Sequence, residues 1–155
     1  MTSKLKIYFA GAISAGRERQ PLYAEMVHFL ESLGAEVLSA HVARADVLEQ
    51  EAQLSAAAIF QRDMDFIENC AGMVAEVSRP SLGVGYEIAT ALTLWRPTLC
   101  LCEQGVFLSR LLTGNSHSQL QIRFYQNTAE WQAALQEFVQ HLQPENALPL
   151  LAMTK

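Results

Sequence analysis

Met73-Val74-Ala75-Glu76-Val77 reads as a buried strand, and Ser78-Arg79-Pro80-Ser81-Leu82-Gly83 breaks it before residues 84–94 resume as a helix. The strand is apolar at nearly every position, as in a sheet covered on both faces. The break is rich in proline, serine and glycine, the residues that punctuate regular structure. Outward from this unit the same alternation repeats. On the N-terminal side, residues 5–9 read as a strand closed by the turn-rich Gly11-Ala12-Ile13-Ser14-Ala15-Gly16. Tyr23, Met26, Val27, Leu30 and Leu33 recur at helical spacing, and Gly34 stops that helix. Residues 35–38 give a second strand and a polar stretch follows. Residues 54–69 are helical in pattern through Ile59, Phe60, Phe66 and Ile67. On the C-terminal side, residues 97–101 and 120–125 read as strands, with a short helix at 107–112 between them. Trp131, Ala134, Leu135, Phe138 and Leu142 mark a final amphipathic helix. This alternation predicts an α/β domain, a mostly parallel sheet with helices on both faces. Residues 1–142 make one domain, and residues 143–155 are a tail with little pattern.

Composition narrows the classes of function. A chain of 155 residues, 50% of them hydrophobic, fits one domain with a well-buried core. No run approaches the roughly 18 apolar residues that a membrane span needs. The balance of 11 basic against 16 acidic residues, without a basic run, argues against a nucleic-acid polymer as partner. Three cysteines, an odd number, argue against a disulfide framework, so the expected setting is reducing and cytoplasmic. Charged residues are only 17%, which predicts that part of the surface is buried against another subunit.

Ligands in such sheets bind beyond the carboxyl ends of the strands. The loops at 11–17, 39–45, 78–87 and 103–109 are therefore the candidate site. In Arg79-Pro80-Ser81-Leu82-Gly83-Val84-Gly85-Tyr86-Glu87, glycines open a helix whose unpaired N–H groups suit an anion. Glu87 falls in the first helical turns, where the dipole favours an ionised carboxylate suited to attack on a sugar carbon. An ordinary helix start with a dipole-complementing Glu fits the same pattern, and both readings stay open on pattern alone. Gly11, Gly16 and Arg17 form a phosphate-type loop, or an ordinary turn with a solvated arginine. Tyr8, between Ile7 and Phe9, reads equally as a core tyrosine. Asp63 and Asp65 point in different directions on a helix and are a poor metal pair. Cys100 and Cys102 share one strand face as packing thiols, since no further Cys or His stands at zinc spacing. His41 ends the second strand, at the ligand-bearing edge.

Together these segments resemble a known family. Tyr-Phe-x-Gly-x-Ile-x-x-Gly-Arg-Glu at residues 8–18, His41-Val42-Ala43, Asp63, Ala75-Glu76-Val77 and Pro80-Ser81-Leu82-Gly83-Val84-Gly85-Tyr86-Glu87 are similar to the 2'-deoxynucleoside 5'-phosphate N-hydrolases, of the nucleoside 2-deoxyribosyltransferase superfamily. The resemblance covers residues 6–138. It implies a flavodoxin-like, Rossmann-type sheet, a homodimer, a small nucleotide substrate, and neither metal nor cofactor. It implies that Glu87 is the nucleophile, that Asp63 assists the departing base as an acid, and that Tyr8 positions Glu87. It places Gly11, Ala12, Ile13, Ser14, Ala15, Gly16, Arg17, Tyr23, His41, Ser81, Gly83 and Gly85 around sugar, base and phosphate. Ser109, followed by Arg110 and Leu111, matches a segment reaching the phosphate in the neighbouring subunit. Ser14 stands where close relatives carry Arg, and Arg110 and Leu111 where they carry Ala and Met. The activity implied is hydrolysis of the N-glycosidic bond through a covalent glycosyl-enzyme. A deoxyribosyltransferase or ribonucleotide hydrolase of the same fold, and a non-enzymatic nucleotide sensor, are the alternatives.

Overall fold

The computed structural model describes residues 3–14 and 16–143. Its strands are β1 (Lys6–Ala10), β2 (Glu36–Val37), β3 (Gly72–Glu76), β4 (Thr98–Glu103) and β5 (Leu120–Tyr125). They pair in parallel in the order β2-β1-β3-β4-β5. Parallel neighbours need crossovers, and helices supply them: α1 (Gln20–Ser32), α2 (Val47–Glu51), α3 (Ala56–Asn69), α4 (Leu82–Thr93) and α5 (Arg110–Thr113). A last helix, α6 (Thr128–Leu142), follows β5 and packs on the sheet. This is the flavodoxin-like α/β arrangement expected.

Side chains along a strand alternate between faces, so each strand feeds two cores. Ile7, Phe9, Val74, Leu99 and Leu101 pack with Tyr23, Met26 and Leu30 of α1 and Trp131, Leu135 and Phe138 of α6. Tyr8, Ala10, Met73, Ala75, Cys100 and Cys102 pack with Ile67 of α3 and Val84, Ile88 and Leu92 of α4. Each fully buried Leu, Ile or Phe contributes roughly 1.5–3 kcal/mol. The chain turns one way from β1 to β2 and the other way to β3. A crevice therefore opens at the carboxyl ends of β1 and β3.

Three local features differ from the expectations. The second strand shrinks to Glu36–Val37, and the polar stretch after it holds a 3-10 turn at Ala40–Ala43 and the helix α2. The helix expected at 107–112 begins only at Arg110, where the Ser109 Oγ accepts from the Leu111 N–H and caps it. The tail from residue 144 lies outside the described residues. Among the described residues, no helix is long and apolar enough to cross a membrane.

Candidate active site

Ser81 starts the segment that carries the chemistry. Its extended backbone and its Oγ, which accepts from the Val84 N–H at 3.3 Å, set the first turn of α4. The helix then brings Glu87, in its second turn, over the end of β1. There the Tyr8 hydroxyl donates to Glu87 Oε1 at 2.7 Å. Tyr8 is both things the sequence allowed, a core ring only 1% exposed and a hydroxyl that reaches the cleft. Asp63, on α3, lines the same cleft of about 450 Å³, with Gly11, Ile13, Ser14, Ser81 and Gly83. Asp65 is exposed and accepts from Gln61 instead.

The electrostatics differ from the helix-dipole expectation. Burial pushes the Glu87 carboxyl up to about 7 from its ordinary 4.5. Asp63 and Glu51 push it further, while the Tyr8 hydrogen bond and Arg62 hold it down. Lost hydration is the largest influence on this carboxyl and outweighs the helix dipole. Burial, then the charges of Glu87 and Asp63, raise the Tyr8 phenol, so it stays a donor. Asp63 is held by a neighbour: the Arg62 Nε–H donates to its Oδ1 at 2.8 Å, and Arg62 Nη2 donates to Glu51 Oε1 at 2.9 Å. Burial works against the Arg62 charge, yet these two bonds keep its guanidinium protonated above the usual range. Glu51, Ile59 and Arg62 were not foreseen. Glu51 and Ile59 line the cleft, and Arg62 links Glu51 to Asp63.

The remaining candidates fall into three places. Under the first loop, the Tyr23 hydroxyl accepts from the Ala12 N–H at 3.2 Å. A Cβ on Gly11 would stand 2.8 Å from the Tyr23 ring, so only glycine lets the loop lie on that ring. Gly16 has φ +123°, a conformation that favours glycine. Arg17 is turned toward the backbone, its Nη2 donating to Val42 O at 3.0 Å and Arg44 O at 2.8 Å. Its Nε and Nη1 are buried without a hydrogen-bond partner among the described residues. Ala15 lies outside the described residues. His41 is next to the carboxylate cluster, its Nε2 3.9 Å from Glu51, and burial followed by Arg62 lowers its proton affinity. Ser109, Leu111 and Gly85 sit elsewhere, in a second and more apolar hollow of about 600 Å³. The two hollows meet along Pro80, Ser81, Leu82 and Val84. Arg110, the first residue of α5, is exposed and does not reach the Glu87 cleft.

This arrangement has the parts of a glycosidase: one carboxyl at hydrogen-bond distance from a positioning phenol, and a second carboxyl in the same cleft. Comparison with known proteins points the same way. Residues 7–109 match the model of the nucleoside 2-deoxyribosyltransferase family. A Methanococcoides burtonii protein that carries the name 2'-deoxynucleoside 5'-phosphate N-hydrolase 1 is 37% identical over 121 residues, 78% of this chain and 99% of its own. The 5-hydroxymethyl-dUMP N-hydrolase of Rattus norvegicus is 42% identical over 112 residues, 70% of this chain and 68% of its own. The structure of a CMP N-glycosidase from Clostridium botulinum superposes with a TM-score of 0.64 over 86% of this chain and 98% of that one. At 20% identity it speaks for the fold.

Proposed function

The chain belongs to the nucleoside 2-deoxyribosyltransferase family, and from that premise we propose that it hydrolyses the N-glycosidic bond of 2'-deoxynucleoside 5'-monophosphates, releasing free base and 2-deoxyribose 5-phosphate. The observation that carries this reading is the bond from Tyr8 to Glu87 in a cleft that Asp63 also lines. Ionised Glu87 attacks C1' as the bond to the base nitrogen breaks, and the electron pair leaves with the base. Asp63 delivers the proton that the base takes up. Water then attacks C1' of the glycosyl ester, its proton passes to Asp63, and Glu87 is restored as a carboxylate. Glu87 attacks only when ionised, and burial, which favours its protonated form, therefore limits the attack on the acid side. The missing 2'-hydroxyl helps, because no electron-withdrawing group opposes the oxocarbenium-like transition state.

Hydrolysis of a nucleotide is favoured over transfer between nucleosides by Ser81. The resemblance puts Asp there in the deoxyribosyltransferases, and an Asp would repel a 5'-phosphate. The serine hydroxyl and the backbone N–H groups opening α4 suit that phosphate, and the resemblance adds Arg17 from the first loop. A homodimer completes the site. Leu82, Leu111 and Phe107 are 97%, 86% and 78% exposed around the second hollow, an apolar patch that a second copy would cover. That contact would bring Ser109 of the partner subunit toward the phosphate. The buried, unpaired cysteines among the described residues suit a reducing, cytoplasmic setting.

The test is to incubate the protein with single deoxynucleoside monophosphates and follow released base, with and without an added acceptor base. Release should not depend on the acceptor, and the unphosphorylated deoxynucleoside should be cleaved far more slowly. Equal kcat/KM on a nucleoside and its monophosphate would overturn the reading and favour the transferase.

A further inference from the structure

Glu76, at the end of β3, is fully buried and lies outside the cleft. Its Oε1 accepts from the Ser78 hydroxyl, from the Ser78 N–H at 3.3 Å and from the Tyr125 hydroxyl at 2.9 Å. Arg19 Nη1 stands 3.7 Å from the same oxygen, and Arg19 Nη2 pairs with Glu103. The Glu103 N–H donates back to Ser78 Oγ at 2.7 Å. Glu76 Oε2 has no hydrogen-bond partner among the described residues.

The position of the two arms matters. Arg19 is the N-cap residue of α1 and ends the loop that begins at Gly11. Ser78 begins the break that leads to Ser81 and α4. Both loops that would hold the phosphate are therefore tied to one carboxylate behind the sheet edge. An ion buried this completely is expensive unless it is well partnered, and here its partners are the ends of those loops.

We propose that Glu76 is a positioning residue that sets the spacing between the 11–17 loop and the 78–85 loop, and so the fit of the 5'-phosphate. This rests on the reading of the site as a nucleotide hydrolase. Glu76→Gln keeps the shape and the acceptor for Tyr125 but removes one of the two carboxylate charges beside Arg19, leaving Glu103 as the other. KM for the best deoxynucleoside monophosphate should rise about tenfold with kcat within about twofold, while kcat/KM for the matching deoxynucleoside stays as it was. Arg19→Gln should reproduce that pattern and Arg19→Lys should recover part of it, which keeps the test open if Glu76→Gln fails to fold. Loss of nucleotide and nucleoside cleavage by one common factor would reduce Glu76 to a stabilising residue and overturn the proposal, as would an unchanged KM. The wild type is assayed alongside, and its failure to release base from any mononucleotide would overturn the functional reading instead. Calorimetric binding of 2-deoxyribose 5-phosphate, about tenfold weaker in Glu76→Gln, then still decides the positioning role.

Discussion

Replacing Tyr8 by Phe removes one oxygen from a side chain that is otherwise packed in the core. The ring keeps its place, so the change acts through the bond to Glu87. A hydrogen bond to an ionised group is worth about 1.5–3 kcal/mol, and about 1.4 kcal/mol corresponds to one pH unit. The Glu87 carboxyl, already pushed up to about 7, should therefore titrate about one to two pH units higher in the variant. The nucleophile has to be ionised, so the acid limb of kcat/KM against pH moves up with it. Near neutral pH about half of the wild-type carboxyl is ionised against about a tenth or less in the variant, a loss of at least about fivefold. Two units further into the alkaline range the deficit should shrink to about twofold or less. The assay is base release from one mononucleotide across that range, in both proteins. The titration of the nucleotide phosphate cancels between them. An acid limb that stays in place, or moves down, would refute the reasoning that Tyr8 holds Glu87 ready by stabilising its charge.

Glu87→Gln should abolish turnover by several orders of magnitude yet stabilise the fold. Because burial raises the folded carboxyl from 4.5 to about 7, its favourable contribution is present below the unfolded value and is lost as pH rises through the folded one. The gain in melting experiments should thus be absent in acid and approach about 3 kcal/mol in alkali, and a gain independent of pH would contradict it. Asp63→Asn should slow release most for bases that leave poorly, measured across a series of substituted bases. An equal loss throughout would mean that Asp63 only positions. Leu111→Glu should shift sedimentation from dimer to monomer at micromolar concentration and lower activity with it, and full activity in a monomer would end the shared-site idea.

The alternation of strand and helix was legible because each buried element carries its own period, and α1, α4 and α6 fall within a few residues of where that period puts them. Helix α2 was not, since Val47–Glu51 is too short to show a helical stripe. With it went Glu51, whose place in the cleft follows from where that helix turns rather than from any spacing. Glu87 and Asp63 could be picked out by type and position, but their meeting with Tyr8 depends on packing between segments distant in sequence. The raised proton affinity of Glu87 is hidden from the sequence for a related reason. A dipole can be read from a helix start, whereas loss of hydration is a property of what covers the side chain. Arg17 bonds to the carbonyls of Val42 and Arg44, and carbonyls carry no sequence signal.

The residues joined by the bond across the cleft are 79 positions apart in the chain. Unfolding separates them completely, so the unfolded chain offers a ligand no version of this cleft. Whatever occupies it draws the folding equilibrium toward the native state by mass action, by about 2.7 kcal/mol at a hundred times its Kd. For a chain of this size that is a rise of several degrees in Tm. Thermal melting against a panel of nucleotides, sugar phosphates and bases would thus rank what the cleft accepts before any turnover is measured, and would do so equally in a variant that cannot react.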